Sequence, residues 1–321
     1  RNVESNGGFE FTDFGAALLG LTSPGLDSTV YELEQDTFAV FGKVDYQPIE
    51  PLTLTAGLRY ETNTARLDRD RSFEAPGGLS FPSGLNVDGE EQDSSELLPR
   101  FALEYRFSPN VVTYASATRG YRPSGLNSLT DFVEALEFEE ETSWNYEIGV
   151  KTNWLDNRLW ANLSAFINEV DDYQVLLFDE LFTSSTTANA DVRISGLELE
   201  LGATPMDGLD IVAGFGFLDD EFTKFINTLT GVDSSGNHLP STPEFNYNLS
   251  MQYRDPGGLL GQVELQGFGT YFFDEGNQFQ QDPFALVNAR LGYEGEDYGI
   301  YAFVNNLFDE EYLIEQFVGL G

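Results

Sequence analysis

The sequence of 321 residues contains no cysteine, and its single histidine is His238. A chain without cysteine has no disulfide framework, zinc–thiolate site, iron–sulfur ligation or thiol nucleophile. One histidine leaves little basis for a metalloenzyme or a histidine-based catalytic triad. His238 stands in the polar segment 236–240, and we interpret it as a surface residue. We therefore expect no catalytic residues, no metal and no cofactor, and we predict that the protein is not an enzyme.

Basic residues and long apolar runs are scarce as well. Lys and Arg number 16 against 54 Asp and Glu, which gives a formal net charge of −38. This argues against nucleic acid as a partner, because a nucleic-acid binder needs positive charge to neutralise phosphates. No run of 18 apolar residues is present, which excludes transmembrane helices. The first ten residues lack the basic start and apolar stretch of a signal peptide.

Apolar residues are nevertheless plentiful, at 41% of the chain, and many of them recur at every second position. This period is typical of strands that place one face against an apolar environment. It is clearest in segments 52–61, 100–107, 144–154 and 245–254, whereas both faces of 110–119 are mixed. We predict twelve strands. They lie at roughly 36–46, 52–61, 100–107, 110–119, 144–154, 157–167, 194–203, 209–217, 245–254, 259–273, 284–294 and 298–308.

The connections between these strands alternate between short and long. The short ones contain Pro, Asn, Asp or Gly and lie at 47–51, 108–110, 156–157, 205–208, 255–258 and 294–297. The long ones are polar and lie near 67–96, 121–141, 174–190, 226–241 and 274–283. Outer-membrane barrels sort their loops by length in this way, whereas soluble sandwiches do not. Aromatic residues next to the short turns favour a membrane interface over mere strand propensity. They are Tyr46, Phe107, Trp154, Tyr253, Tyr293 and Tyr298.

Four stretches carry motifs of one known family. Segment 112–127 ends a strand in an aromatic-Arg-Pro loop entry, and 140–175 reads E-x-x-x-x-x-E-x-G-x-K followed by D-D-x-Q-V. Segment 190–225 contains G-x-E-x-E, and 287–312 ends in NNLFDEEY. Together they resemble the C-terminal barrel region of TonB-dependent outer-membrane receptors. The resemblance covers most of 36–312.

This resemblance implies an all-β fold, an antiparallel transmembrane β-barrel of 22 strands around a plugged lumen. If NNLFDEEY marks the penultimate strand, the twelve strands are the tenth to the twenty-first. Residues 1–321 are then a single domain, the C-terminal portion of the barrel. The plug domain, the N-terminal TonB-binding segment and the last strand are expected to be absent. We do not expect this piece to fold or transport alone, because its two open edges are costly in lipid.

The family's function is active uptake of a scarce, large nutrient across the outer membrane, driven by TonB. The resemblance implies a ferric siderophore or similar iron complex as ligand, with outer-membrane lipid and TonB as partners. Cobalamin, an oligosaccharide or a polyphenol are alternatives within the family. A passive porin or adhesin barrel and a soluble all-β binding module are alternatives outside it. Segment 120–127 departs from the family's haem-receptor pattern and has no histidine nearby, which argues against haem.

Candidate ligand-binding residues lie at and beyond the outer end of one strand: Arg119, Tyr121, Arg122 and Asn127. The resemblance places this end over the ligand vestibule. Arginine binds an anionic ferric chelate through paired hydrogen bonds, and tyrosine stacks on an aromatic chelator. In the alternative, which we favour, the arginines pair with loop acids and Tyr121 belongs to the outer aromatic girdle.

Arg66, Arg69 and Arg71 open another long loop, and the same two interpretations apply to them. Acidic clusters occur at 88–96 and 131–141. Such clusters bind Ca²⁺ or bridge lipopolysaccharide through divalent cations, since hard cations take carboxylate oxygens. Neither cluster has the regular spacing of a calcium loop, so we favour solvated loops.

Overall fold

The computed structural model describes residues 25–75, 78–178 and 185–315, together with the backbone of residues 2–11. These ranges contain strands and one turn of 3₁₀ helix at Val133–Ala135. The strands are β1 (Asn2–Phe11), β2 (Gly25–Ile49), β3 (Leu52–Ala75), β4 (Leu79–Pro82), β5 (Val87–Ser108), β6 (Val111–Arg122), β7 (Gly125–Leu126), β8 (Glu137–Phe138), β9 (Glu141–Trp154), β10 (Leu159–Phe178), β11 (Ser185–Met206), β12 (Leu209–Lys224), β13 (Phe245–Arg254), β14 (Leu259–Phe268), β15 (Tyr271–Phe272), β16 (Gln280–Gln281), β17 (Phe284–Glu294) and β18 (Gly299–Val304).

The long strands form one antiparallel meander in which each strand pairs with the next long strand along the chain. Their order is β1-β2-β3-β5-β6-β9-β10-β11-β12-β13-β14-β17-β18. The short strands lie within the long connections: β4 pairs with β3, β7 with β8 and β15 with β16. The twelve predicted strands correspond to β2 through β18 of the meander and are confirmed. Strand β1 was not predicted, because its sequence NVESNGGFEF is polar and contains two adjacent glycines.

All six predicted short turns are present, at 50–51, 109–110, 155–158, 207–208, 255–258 and 295–298. The turn at 255–258 needs glycine at its end. Gly258 has φ +96°, and an added Cβ would lie 2.2 Å from the carbonyl oxygen of Glu294. A residue with a side chain would therefore be strained here and would also clash with the neighbouring strand.

The boundaries of the long loops differ from the prediction. Strands β3 and β5 continue through most of 67–96, and β10 and β11 leave only a short gap inside 174–190. These extensions lack the simple apolar–polar alternation, because one of their faces is buried by other loops. Leu67 of β3, for example, is fully buried beside Leu126. Conversely, the predicted strands 259–273 and 298–308 end earlier, at Phe268 and Val304.

The meander has an exposed apolar face and a polar face. Leu249 is exposed and lies opposite Ala213 and Leu265, whereas the next residue, Ser250, lies opposite Glu264 on the other face. Exposed apolar residues continue across the sheet, among them Phe38, Leu58, Phe101, Ile148 and Leu197. Water does not favour such a continuous apolar surface, whereas lipid does.

Buried apolar clusters occur at the end of the sheet that carries the long loops. The larger cluster joins strands β10, β11 and β12 to the loop before β13, with Phe222, Phe225 and Leu239 at its centre. The smaller cluster contains Leu67 and Leu126, together with Val87. Each buried side chain of this size contributes about 1.5–3 kcal/mol relative to exposure. The long loops are therefore packed structures.

Candidate functional site

The predicted site residues belong to β6 and to the loop that follows it, residues 123–140. This loop folds on itself: β7 pairs with β8, and the 3₁₀ turn lies between them. Gly125 lies directly under the ring of Phe138, so an added Cβ would come within 2.6 Å of it. The segment is therefore a compact hairpin.

The pairing of β6 with β9 places the two candidate arginines on opposite faces. Arg119 lies opposite Trp144, which shares its face of β9 with the exposed Tyr146 and Ile148. Arg122 lies opposite Glu141, on the other parity. Because successive residues of a strand face opposite sides, β6 does not gather Arg119 and Arg122 on one surface.

Arg119 is held by an acid and an aromatic ring. Its Nε and Nη2 both lie 3.0 Å from Oε1 of Glu96, and its guanidinium lies 5.9 Å from the ring centre of Trp144. Both groups of the ion pair are partly buried, which strengthens the pair relative to an exposed one. This contact is the one expected if the arginine pairs with a nearby loop acid. A role of Arg119 in ligand binding stays a prediction.

Tyr121 and Arg122 differ in their surroundings. The Tyr121 hydroxyl donates a 2.7 Å hydrogen bond to Oγ of the buried Ser94. The Arg122 side chain is exposed, and within the described ranges its guanidinium has no hydrogen bond or ion pair. Of the predicted residues, Arg122 is thus the one whose donors remain open to a ligand.

Asn127 is buried, and its side-chain amide is occupied. It donates to the carbonyls of Ala135 (2.8 Å) and Thr187 (3.1 Å) and accepts from the Thr187 N–H (2.8 Å). Its backbone N–H also bonds to Leu136. Asn127 therefore joins its own loop to the first residues of β11.

The three arginines of β3 are also engaged. Arg69 is 4% exposed and donates only to backbone carbonyls. Arg71 forms ion pairs with Asp27 (2.8 Å) and with Asp131. Burial lowers the pKa of Arg71, but its bonds to the two carboxylates outweigh this and raise it. Arg66 pairs with Asp68 and Glu91 at longer distances.

Gln174 contacts the loop 123–140, and it was not among the residues predicted from the sequence. Its side-chain amide donates to the carbonyls of Pro123 (2.9 Å) and Glu139 (3.2 Å), and its backbone N–H donates to Glu141. It therefore ties both ends of the loop 123–140 to β10. The sequence signal was the D-D-x-Q-V motif, which contains this glutamine.

His238 is not the simple surface residue that we expected. Its ring stacks on Phe272, with centroids 5.9 Å apart, and Asn277 hydrogen-bonds to both its backbone N–H and its carbonyl. His238 Nδ1 lies 3.5 Å from the carboxylate of the buried Asp220. Burial raises the pKa of Asp220, and the Leu239 N–H and His238 oppose this rise. His238 therefore links two long loops to β12.

Within residues 25–75, 78–178 and 185–315, no group of three or more Asp, Glu or His side chains is arranged to hold a metal ion. The acidic clusters are instead partly neutralised, as in the pairing of Asp131 with Arg71. The same ranges contain no helix with the length and apolarity of a membrane span.

Comparison with known proteins agrees with this geometry. The family description "TonB dependent receptor-like, beta-barrel" matches residues 2–307. The pesticin receptor of Yersinia pestis is 26% identical over 303 residues, which are 91% of this chain and 42% of that protein. The metal-pseudopaline receptor CntO of Pseudomonas aeruginosa is 23% identical over 79% of this chain and 33% of its own length. The crystal structure of the ferric yersiniabactin uptake receptor FyuA from Yersinia pestis superposes with a TM-score of 0.75 at 21% identity, covering 90% of this chain and 44% of that one.

An antiparallel meander with an apolar outer face, short turns at one end and packed loops at the other defines the wall of an outer-membrane β-barrel. The chain belongs to the TonB-dependent receptor-like β-barrel family. The predicted all-β fold class and the outer-membrane location are thereby confirmed. The chain spans about two fifths of the length of the pesticin receptor that it matches.

Proposed function

We propose that this chain is part of a TonB-dependent outer-membrane receptor that takes up a ferric siderophore or a similar iron complex. The family match across residues 2–307 is the observation that carries the proposal. Its relatives are receptors named for pesticin and for metal-pseudopaline, and the similar solved structure is a ferric yersiniabactin uptake receptor. The family consists of receptors, and this also supports the proposal that the protein is not an enzyme.

In this proposal the chain supplies part of the barrel wall and several outer loops. The iron complex binds among these loops, and TonB, energised from the inner membrane, opens a passage through the lumen. Binding and release are sufficient for this task, so no bond of the cargo is made or broken. The polar parity of the strands, such as Asn246, Asn248 and Ser250, suits a wall that faces a hydrated interior.

The vestibule candidates keep distinct roles in this proposal. Arg122 is exposed and supplies a fork of donors that matches the carboxylate or catecholate oxygens of an anionic chelate. Arg119 and Tyr121 line the same strand end, but each is already bonded, to Glu96 and Ser94. Asn127 acts by holding the loop in place.

The direct test is growth of a deletion strain under iron limitation. Ferric tris-catecholate, tris-hydroxamate and citrate chelates serve as sole iron sources, and the plasmid-borne receptor restores growth on the chelate that it transports. A strain that also lacks TonB is the matched control and should not be rescued. Rescue without TonB would indicate a passive porin. Absence of rescue on every chelate, together with TonB-dependent growth on limiting cobalamin or on an oligosaccharide as sole carbon source, would replace the iron complex as cargo.

A further inference from the structure

The loop 123–140 is attached to β3 by one buried cation. Arg69 donates to the Leu85 carbonyl through Nε (2.9 Å) and Nη2 (2.6 Å), and to the carbonyls of Ser128 (3.0 Å) and Thr130 (2.6 Å) through Nη1. Arg69 is 4% exposed, and this burial lowers the pKa of its guanidinium because the charge loses solvation. A buried cation is tolerated only where its donors are satisfied. Here backbone carbonyls of two loops supply that compensation.

The same loop is attached to β11 on its other side. The Thr130 hydroxyl lies 3.0 Å from the hydroxyl of the buried Thr186, and Asn127 brackets the backbone of Thr187. On the β3 side, Leu126 of the loop packs against Leu67 of β3. Polar and apolar contacts therefore hold the loop at both ends.

These two attachments reach across the sheet. Strands β3 and β11 are five neighbours apart in the sheet order. Five inter-strand spacings correspond to about 24 Å along a flat sheet. Thr130 contacts both Arg69 and Thr186. The combined length of Thr130 and these two side chains is shorter than that distance. The sheet must therefore curve, and the loop crosses its concave side near the outer end.

The apex of this loop is apolar and exposed. Phe132 and Val133 are 53% and 65% exposed, although the neighbouring Thr130 is completely buried. Exposed apolar side chains on a segment that is already ordered cost little further entropy on binding. They thus have the character of preformed contact points.

We propose that residues 123–140 form a fixed shelf across the outer mouth, positioned by Arg69, and that Phe132 and Val133 on this shelf contact the apolar or aromatic part of the incoming iron chelate. This inference rests on the proposed function for its ligand, although not for the shelf itself. Arg69 is a positioning residue: it touches the loop backbone and not the chelate.

The shelf is tested first without any ligand, by pulsed-EPR distances in the complete receptor. Residues 1–321 contain no cysteine, and any cysteine elsewhere in the receptor is replaced by serine, so labels at Glu134→Cys on the shelf and Asp156→Cys in the turn 155–158 are specific. We expect a narrow distance distribution in the unsubstituted receptor. It should broaden in Arg69→Met, and also in Arg69→Lys, which keeps the charge but lacks the planar guanidinium with its several donors. Arg66→Met, on the same strand, is the control and should leave the distribution narrow. A narrow distribution in both Arg69 variants overturns positioning by Arg69, and a broad distribution in the unsubstituted receptor overturns the shelf.

The contact role is tested by retention of iron-55 as ferric tris-catecholate, tris-hydroxamate or citrate chelate. Phe132→Ala should weaken binding of the retained chelate about tenfold, the effect of losing one aromatic anchor. In an Arg69→Met background the same change should have little further effect, because the shelf is already displaced. Leu79→Ala, another exposed apolar loop residue, is the control.

The outcomes separate the two proposals. Unchanged affinity in Phe132→Ala overturns the contact role while the receptor function stands. If none of the three chelates binds, this result counts against the proposed function and against the contact role. The EPR distances still decide whether the shelf exists. Additive effects of Arg69→Met and Phe132→Ala would show that Arg69 does not position Phe132.

Discussion

The arginines near the outer rim differ in what they are bonded to, and this difference sets the effect of each substitution. Arg69 satisfies backbone carbonyls in a buried position, Arg119 shares one oxygen of Glu96, and Arg122 is exposed. Loss of a buried donor leaves carbonyls without partners, whereas loss of an exposed one costs little stability. Only the exposed arginine is expected to separate binding from folding.

Arg122→Ala is predicted to weaken binding of an anionic ferric chelate at unchanged receptor abundance. The expected loss is about 1.5–3 kcal/mol per charged hydrogen bond removed. Arg119→Ala should instead lower the amount of receptor in the outer membrane, because Glu96 loses its partner. Equilibrium binding to outer-membrane preparations, together with quantitative blotting, measures both effects. Normal affinity in Arg122→Ala would remove this residue from the site.

Asp220 is predicted to give the long loops a pH dependence whose sign follows from its burial. Its pKa is raised by burial above the ordinary value of 3.8. The folded state therefore binds a proton more readily than the unfolded state, and stability falls as pH rises from 3.8 through the folded pKa. Hydrogen exchange of the Leu239 amide, which donates to Asp220, should show this loss of protection.

Asp220→Asn is predicted to flatten that pH profile, since the amide keeps an acceptor for Leu239 and does not titrate. Asp156→Asn, in the exposed turn 155–158 at the other end of the sheet, is the control and should leave the profile unchanged. The His238 ring, stacked on Phe272, is the other titratable group in contact with Asp220. An unaltered profile in Asp220→Asn would assign the pH dependence to a different group.

At the scale of the strand, alternation separates a lipid face from an interior face. On β13, Leu249 is exposed among apolar neighbours, and Ser250 lies opposite Glu264. Leu249→Arg should cost roughly 2–4 kcal/mol if this residue lies near the bilayer midplane, and Ser250→Arg much less. Unfolding of the receptor in lipid vesicles by denaturant measures both. Equal costs at the two positions would contradict the assignment of faces.

The hairpin connections give the strands a direction across the membrane. The short turns are expected to face the periplasm and the long loops the outside, by the family resemblance. Cysteine at Asp156 should resist an impermeant thiol reagent on intact cells, and cysteine at Val232 should react. Val232 is exposed, whereas Ser234 in the same loop is 2% exposed and would not react in either orientation. Reaction at position 156 but not at position 232 would indicate that the short turns face the outside.

At the scale of the whole molecule, the sheet has two edges among the described residues, because β1 pairs only with β2 and β18 only with β17. Unpaired backbone groups in lipid cost several kcal/mol each. Residues 1–321 expressed by themselves are therefore predicted not to form a protease-resistant barrel in lipid vesicles. A complete receptor of the family is the control and should resist digestion. Protease resistance of residues 1–321 alone would contradict this.

Twelve of the thirteen meander strands among the described residues, and the short turns, followed from local sequence, since side-chain alternation and turn residues depend on neighbours one to four positions away. The clean segment 245–254 was predicted to within a residue. Segment 110–119 was assigned to a strand although neither face is uniform, and β6 confirms it. The ends of β3 and β10 were predicted less well, because loop contacts bury those extensions.

The sequence by itself determined the all-β class, the meander order, the faces of the strands and, through its motifs, the family. The tertiary structure alone decided which residues touch across the mouth. Arg69 meets Thr130 across 61 positions, and Thr130 meets Thr186 across 56. No local pattern encodes such contacts, because they depend on the curvature of the sheet and on the path of a loop. For this reason Asn127, a vestibule candidate, and Arg69, for which pairing with loop acids was favoured over a vestibule role, are both buried residues that hold a loop in place.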